Sequence, residues 1–132
     1  MSKSQPEYNL QKNIITWLKH QYPDVFFMSD TVASIKLTPQ QQARNKAIQC
    51  QKFSCMDLII LEPIGNYHGL CIELKIETPF KKDGTIKASQ NNHLKKQWDS
   101  ILKMKSKGYY ACFSWHFEDT INLIKNYLKG QL

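Results

Sequence analysis

The sequence predicts an α/β domain in which a mixed central sheet is flanked by helices. Three observations carry that expectation. Two Ile- and Leu-rich runs, Met56 to Leu61 and Gly69 to Ile76, are short enough to be strands and lie close enough together to form a hairpin. Segments with helical spacing of apolar residues stand before and after them. A further apolar run, Tyr109 to Phe113, follows the second long helical segment, so the strands cannot all be joined by hairpins. With 132 residues, 42% hydrophobic content and 15 aromatic side chains, the chain can bury a core, and one domain spanning 1–132 is expected.

In chain order, Glu7 to Gln21 places Leu10, Ile14, Trp17 and Leu18 on one helical face, and Pro23-Asp24 ends that helix. Val25 to Met28 reads as a short strand. Thr38-Pro39-Gln40-Gln41 has the form of a helix start, with Thr as N-cap, Pro in the first turn and Gln three residues after the cap; the helix should run to about Gln49. The hairpin strands come next. Thr78 to Ala88, with two lysines side by side and a glycine, reads as an exposed basic loop. Ser89 is positioned to cap a long helix carrying Leu94, Trp98, Ile101, Leu102 and Lys105 near one face, and Gly108 stops it. Phe117 to Leu128 closes the chain with Ile121, Ile124 and Leu128 at helical spacing.

The net charge is +7, and 17 of the 18 basic residues are lysines. That balance favours an anionic partner, nucleic acid above all, without establishing one. The four cysteines make no CxxC pair and the histidines are scattered, which argues against a zinc site. Cys71 and Cys112 lie in apolar runs, as buried free thiols do. The N-terminus has no apolar signal core and no run reaches membrane-spanning length, so a reducing, intracellular, cytoplasmic setting is expected.

The residues with chemistry lie on the hairpin. Glu73 and Lys75 are two apart on an otherwise apolar strand and must face the same way. Asp57, at the start of the partner strand, can bring a second carboxylate to the same place. Two carboxylates beside a lysine suit a hard divalent cation and phosphodiester hydrolysis. Simpler readings stand beside this one. Asp57 could cap a turn, and Glu73 with Lys75 could be a solvated stripe contributing about 0.2–1 kcal/mol through cross-strand pairing. Glu7 could serve only the helix dipole. Trp17, Trp98 and Trp115 read as core.

Asp57 followed by Glu73-x-Lys75, set between a helix and a helix–strand unit, resembles the PD-(D/E)xK nuclease superfamily, and within it the VRR-NUC group. Glu7-x-x-x-Gln11 is similar to that group's opening helix, and Tyr22 to Phe26 to the junction after it. Tyr67 to Lys75 is similar to its metal-site strand, and Gln97-Trp98 followed by Gly108-Tyr109 has its later spacing. Ser54-Cys55-Met56 stand where the group usually has Gly-x-Pro before the aspartate.

The resemblance implies a restriction-endonuclease-like core and a Mg2+- or Mn2+-dependent deoxyribonuclease, selective for junction or flap DNA and acting as a homodimer. It implies metal ligation by Asp57, Glu73, the carbonyl of Leu74 and, as an outer ligand, Glu7. Lys75 would position water or stabilise charge at phosphorus, and Gln97 would orient water or Lys75; Gln90 competes with Gln97 for that place. Candidate phosphate contacts are Arg44, Lys46 and Lys52 before Asp57, and Lys81, Lys82 and Lys87 in the basic loop. The alternatives are a nucleic-acid-binding protein without turnover and a sequence-specific restriction-type nuclease.

Overall fold

The computed structural model describes residues 4–33, 35–88 and 92–132. Its elements run α1 (Gln5–Gln21), β1 (Phe27–Ser29), α2 (Pro39–Ile48), β2 (Leu58–Ile60), β3 (Leu70–Leu74), α3 (His93–Ser106), β4 (Tyr110–Ser114) and α4 (Phe117–Leu128). The four strands form one sheet in the order β1-β2-β3-β4. β1 and β3 both pair antiparallel to β2, whereas β3 and β4 pair parallel. The parallel pair requires a crossover, and α3 supplies it.

Strand alternation divides the molecule into layers. Leu58, Ile60, Leu70, Ile72 and Leu74 bury one sheet face with Ile14 and Leu18 of α1 and Ile124 and Tyr127 of α4. Cys71, Ala111 and Phe113 turn to the opposite face and cluster with Ile101 of α3 and with Met56. Each fully buried Leu or Ile contributes about 1.5–3 kcal/mol of transfer free energy, so these two faces carry the fold.

Several boundaries differ from the sequence expectation, each for a physical reason. β1 begins at Phe27, two residues late, and is an edge strand on which Phe26 and Met28 are exposed; apolar content therefore does not mark its register. α3 starts at His93 behind Asn92, whose φ of 56° and lack of a side-chain capping bond make a poor start signal; Ser89 lies outside the described residues. Leu102 is exposed, so the packed face of α3 is narrower than expected. The loop from Thr78 is also less open than expected. Phe80 pairs with Ile86 in an isolated bridge and packs edge-on against Trp98, Phe113 and Trp115, while Lys81 and Lys82 remain exposed.

The helix stop at Gly108 holds. Its φ is 92°, and a Cβ there would come within 2.7 Å of the His68 ring, so only glycine fits. Cys71 is buried as expected and Cys112 partly so. Among the described residues no helix is long and apolar enough to cross a membrane.

Candidate catalytic site

The site lies at one end of β2 and β3. Leu58 pairs with Ile72, so continuing that antiparallel register by one residue sets Asp57 opposite Glu73. Paired residues share a face, and both therefore point towards α3. The Asp57 carboxylate turns back on the strand: its Oδ2 accepts the Leu74 N–H at 2.7 Å. The Asp57 carbonyl is held from two sides. Gln11 of α1 donates to it at 2.9 Å, and the Asp30 N–H, just past β1, donates at 3.2 Å. Asp57 is 3% exposed and Glu73 5%, so the sheet holds two carboxylates almost out of water. Such groups are tolerated when they are hydrogen-bonded, paired with cations or bound to metal.

Glu73 sits between α3 and β4. Gln97 is also buried, and its amide nitrogen donates to Glu73 Oε1 at 2.6 Å. The same nitrogen lies 3.2 Å from His93 Nε2, one helical turn back. Donation to both acceptors requires His93 to present a lone pair. That agrees with its depressed pKa, caused first by burial and then by the Lys75 ammonium, against which the Glu7 carboxylate pulls upwards. Gln97 Oε1 is buried and, among the described residues, accepts no hydrogen bond. An amide oxygen left without a donor in a buried polar site is what a water or a bound ligand would satisfy.

Lys75 follows β3 and prolongs the parallel ladder by donating its N–H to the Ser114 carbonyl at 2.9 Å. Its ammonium lies 5.9 Å from the centroid of the Phe113 ring, which pairs with Glu73 across the ladder. Glu7, in the first turn of α1, accepts from the Ser4 hydroxyl at 3.0 Å, and its own N–H donates to Ser4 Oγ at 3.4 Å. It is thus a capping partner as well as a carboxylate facing the site.

Glu7, Asp57, Glu73, Lys75 and Gln97 line one cavity of about 250 Å3. The structure brings together all five side chains that the sequence proposes for chemistry. Leu74 contributes its backbone at the same point. Gln90 lies outside the described residues. Among the described residues no three His, Cys, Asp or Glu side chains group closely enough to hold a metal ion by themselves. The proposed phosphate contacts are spread more widely. Arg44 and Lys46 are exposed on α2, and Lys52 lines a neighbouring groove. Lys81 and Lys82 are exposed on the bridged loop, and Lys87 is half-buried.

Asp30 and His93 also line the cavity, and the sequence reading named neither. The place of Asp30 depends on the pairing of β1 with the strand that starts after Asp57, and no local pattern announces that pairing. His93 carried a signal: it stands four residues before Gln97, the spacing that puts two side chains on one helix face.

No protein-family model matches the chain, and no curated protein matches it. A solved structure described as a "VRR_NUC domain protein" is similar to it with a TM-score of 0.62 and 23% sequence identity, covering 93% of this chain and 88% of that one. The chain therefore shares the fold of that structure, with a four-stranded mixed sheet packed between helices.

Proposed function

We propose that this protein is a divalent-metal-dependent nuclease that hydrolyses phosphodiester bonds in DNA. The observation that carries the proposal is the meeting of Asp57, Glu73, Lys75, Glu7 and Gln97 in one cavity, at the end of the hairpin of a VRR-NUC-like fold. The donor set suits Mg2+ or Mn2+. Both buried carboxylates offer hard oxygen, and Mg2+ binds through one or two carboxylates while keeping several waters, so a three-side-chain cage is not needed. Asp57 and Glu73, with the Leu74 carbonyl, would hold the ion, and Glu7 would act from further out. Such an ion supplies Lewis acidity towards a phosphoryl oxygen and a lowered pKa for bound water.

The other roles belong to the chain's own groups. Lys75 places positive charge beside the two carboxylates, where it can orient an attacking water and offset the charge that develops on phosphorus. Gln97 fixes the rotamer of Glu73 through the 2.6 Å bond and so keeps its carboxylate aimed. Gln11 does the same for the backbone of Asp57. Arg44, Lys46, Lys52, Lys81, Lys82 and Lys87 would neutralise phosphates on either side of the cleaved bond. The resemblance extends the proposal to junction or flap DNA and to a homodimer presenting two sites.

Incubation of labelled duplex, single-stranded, flap and four-way-junction DNA with Mg2+, Mn2+ or EDTA tests the reading, with Glu73→Gln and Lys75→Ala alongside. Metal-dependent cutting lost in both variants supports it. Binding without cutting under every metal would favour a non-catalytic nucleic-acid-binding protein. Sedimentation at several protein concentrations tests the dimer, which a monomer throughout would exclude.

A further inference from the structure

A second concavity, about 720 Å3, lies between α3 and the chain that joins α2 to β2. It is continuous with the candidate catalytic cavity, for Asp30, Ser54 and Cys55 are walls of both. Its walls carry Lys52 from the joining chain and Lys96 and Lys103 from α3, against the exposed carboxylate of Asp99 and the half-buried Asp30 at the catalytic end. The joining chain is pinned to α3. The Ser54 N–H donates to Ser100 Oγ at 2.8 Å, and the Lys103 ammonium donates to the Lys52 carbonyl at 2.7 Å.

α2, at the rim, is built differently. It has a complete capping box between Thr38 and Gln41 and a proline in its first turn, yet none of its ten residues is buried. Between Asp30 and Asp57 the sequence has no acidic residue and four cations, Lys36, Arg44, Lys46 and Lys52. A ten-residue helix is marginal in water without packing. Here the sequence has placed helix-start signals and unopposed positive charge on an element that adds nothing to the core.

We infer that the groove is the path by which a DNA duplex leaves the candidate catalytic cavity, and that α2 is an arm laid against that duplex. The inference rests on the reading of the cavity as a site of phosphodiester cleavage. Charge complementarity selects the occupant, because a cationic surface without carboxylates on the α2 side fits a polyphosphate backbone. Continuity fixes the direction, because the shared walls lead straight from the groove to Asp57. A duplex fits better than a single strand. Among the described residues the groove offers only Phe53 as an aromatic, whereas single-strand binders stack successive bases on several. Lys96 and Lys103 become phosphate contacts that the sequence motif does not contain, and the arm gains its packing only when the duplex is present.

The test is binding in EDTA, so that cleavage plays no part. Fluorescence anisotropy of a labelled duplex, and of a single strand of equal length, is measured across a salt series. The proteins are the unaltered chain, Lys96→Glu, and Arg44→Ala with Lys46→Ala; all three positions are exposed, and circular dichroism checks that the variants fold. The duplex should bind more tightly than the single strand. Each variant should weaken duplex binding and lower the slope of log affinity against log salt by about 0.9 for every phosphate it no longer neutralises. In the unaltered protein, α2 amides should exchange quickly when free and slowly with saturating duplex.

An unchanged slope in both variants, tighter binding of the single strand, or α2 exchange indifferent to duplex would overturn the inference. The exchange result decides alone if a variant does not fold. The predicted binding pattern without cleavage under Mg2+ or Mn2+ would remove the nuclease reading and leave the arm. Metal-dependent cleavage with an unmoved slope and unmoved exchange would do the reverse.

Discussion

α2 and α3 are both cationic helices beside the same groove, and their stability comes from opposite sources. α2 has the better local signals, with Thr38 and Gln41 bonding reciprocally at its start, but buries no side chain. α3 starts on a left-handed Asn92 without a capping bond, yet it buries Gln97, Ser100 and Ile101 and closes one face of the sheet. Local chemistry decides where a helix starts, whereas tertiary packing decides whether it belongs to the cooperative unit. The packed helix holds the residues that need fixed geometry, and the unpacked one carries charge that needs reach.

The contrast can be broken most forcefully by core deletion. Ile101→Ala should lower unfolding stability by about 2–5 kcal/mol in urea titration. Ile48→Ala, at a residue 86% exposed on α2, should change it by less than about 0.5 kcal/mol. Comparable losses at both would mean that α2 is packed after all. Gln97→Leu comes next. It strips the buried Glu73 carboxylate of a donor and should cost about 1–3 kcal/mol, with loss of any nuclease activity.

Thr38→Ala removes the capping box, which contributes about 0.5–2 kcal/mol to its helix. Since α2 stands apart, that loss should appear as faster amide exchange within Pro39–Ile48 while the urea midpoint stays put. A shifted midpoint would show that the arm is coupled to the core.

The smallest effect sharpens the same contrast through the cysteines. Burial raises the Cys71 thiol to about 11 and the Cys112 thiol to about 12, whereas Cys50, two residues past α2, is exposed, as is Cys55. At pH 8 a thiol reagent should label Cys50 and Cys55 first and reach the other two only on unfolding. A folded pKa above the ordinary thiol value of 9.0 means that the folded state keeps a proton the unfolded chain releases. The stabilising contribution of these two thiols is therefore full below pH 9 and declines as pH rises towards 11–12. Rapid labelling of Cys71 in the native protein would contradict this packing.

What the sequence disclosed follows the same division between local and long-range causes. The hairpin strands were legible because both are central and buried, so their apolar runs leave Glu73 conspicuous. The α2 start was legible because a capping box is written within four residues. The edge strand was misplaced because Val25 and Phe26 look like strand residues while Phe26 is 76% exposed. Asp30 stayed hidden for that reason, since only the pairing of β1 with β2 brings it beside Asp57. The emptiness of the packing around α2 was not legible at all. Its composition is ordinary for a surface helix, and only the fold reveals that it lies on no neighbour's core.

Metal-dependent cleavage of a radiolabelled four-way junction or duplex, compared between the unaltered protein and Glu73→Gln, tests the central claim most directly. Glutamine keeps the size of the side chain and removes its charge, so the fold should persist while cutting falls by orders of magnitude. Products should form with Mg2+ or Mn2+, with none in EDTA and none above background from Glu73→Gln. Cutting that survives EDTA, or that proceeds at full rate in Glu73→Gln, would contradict it.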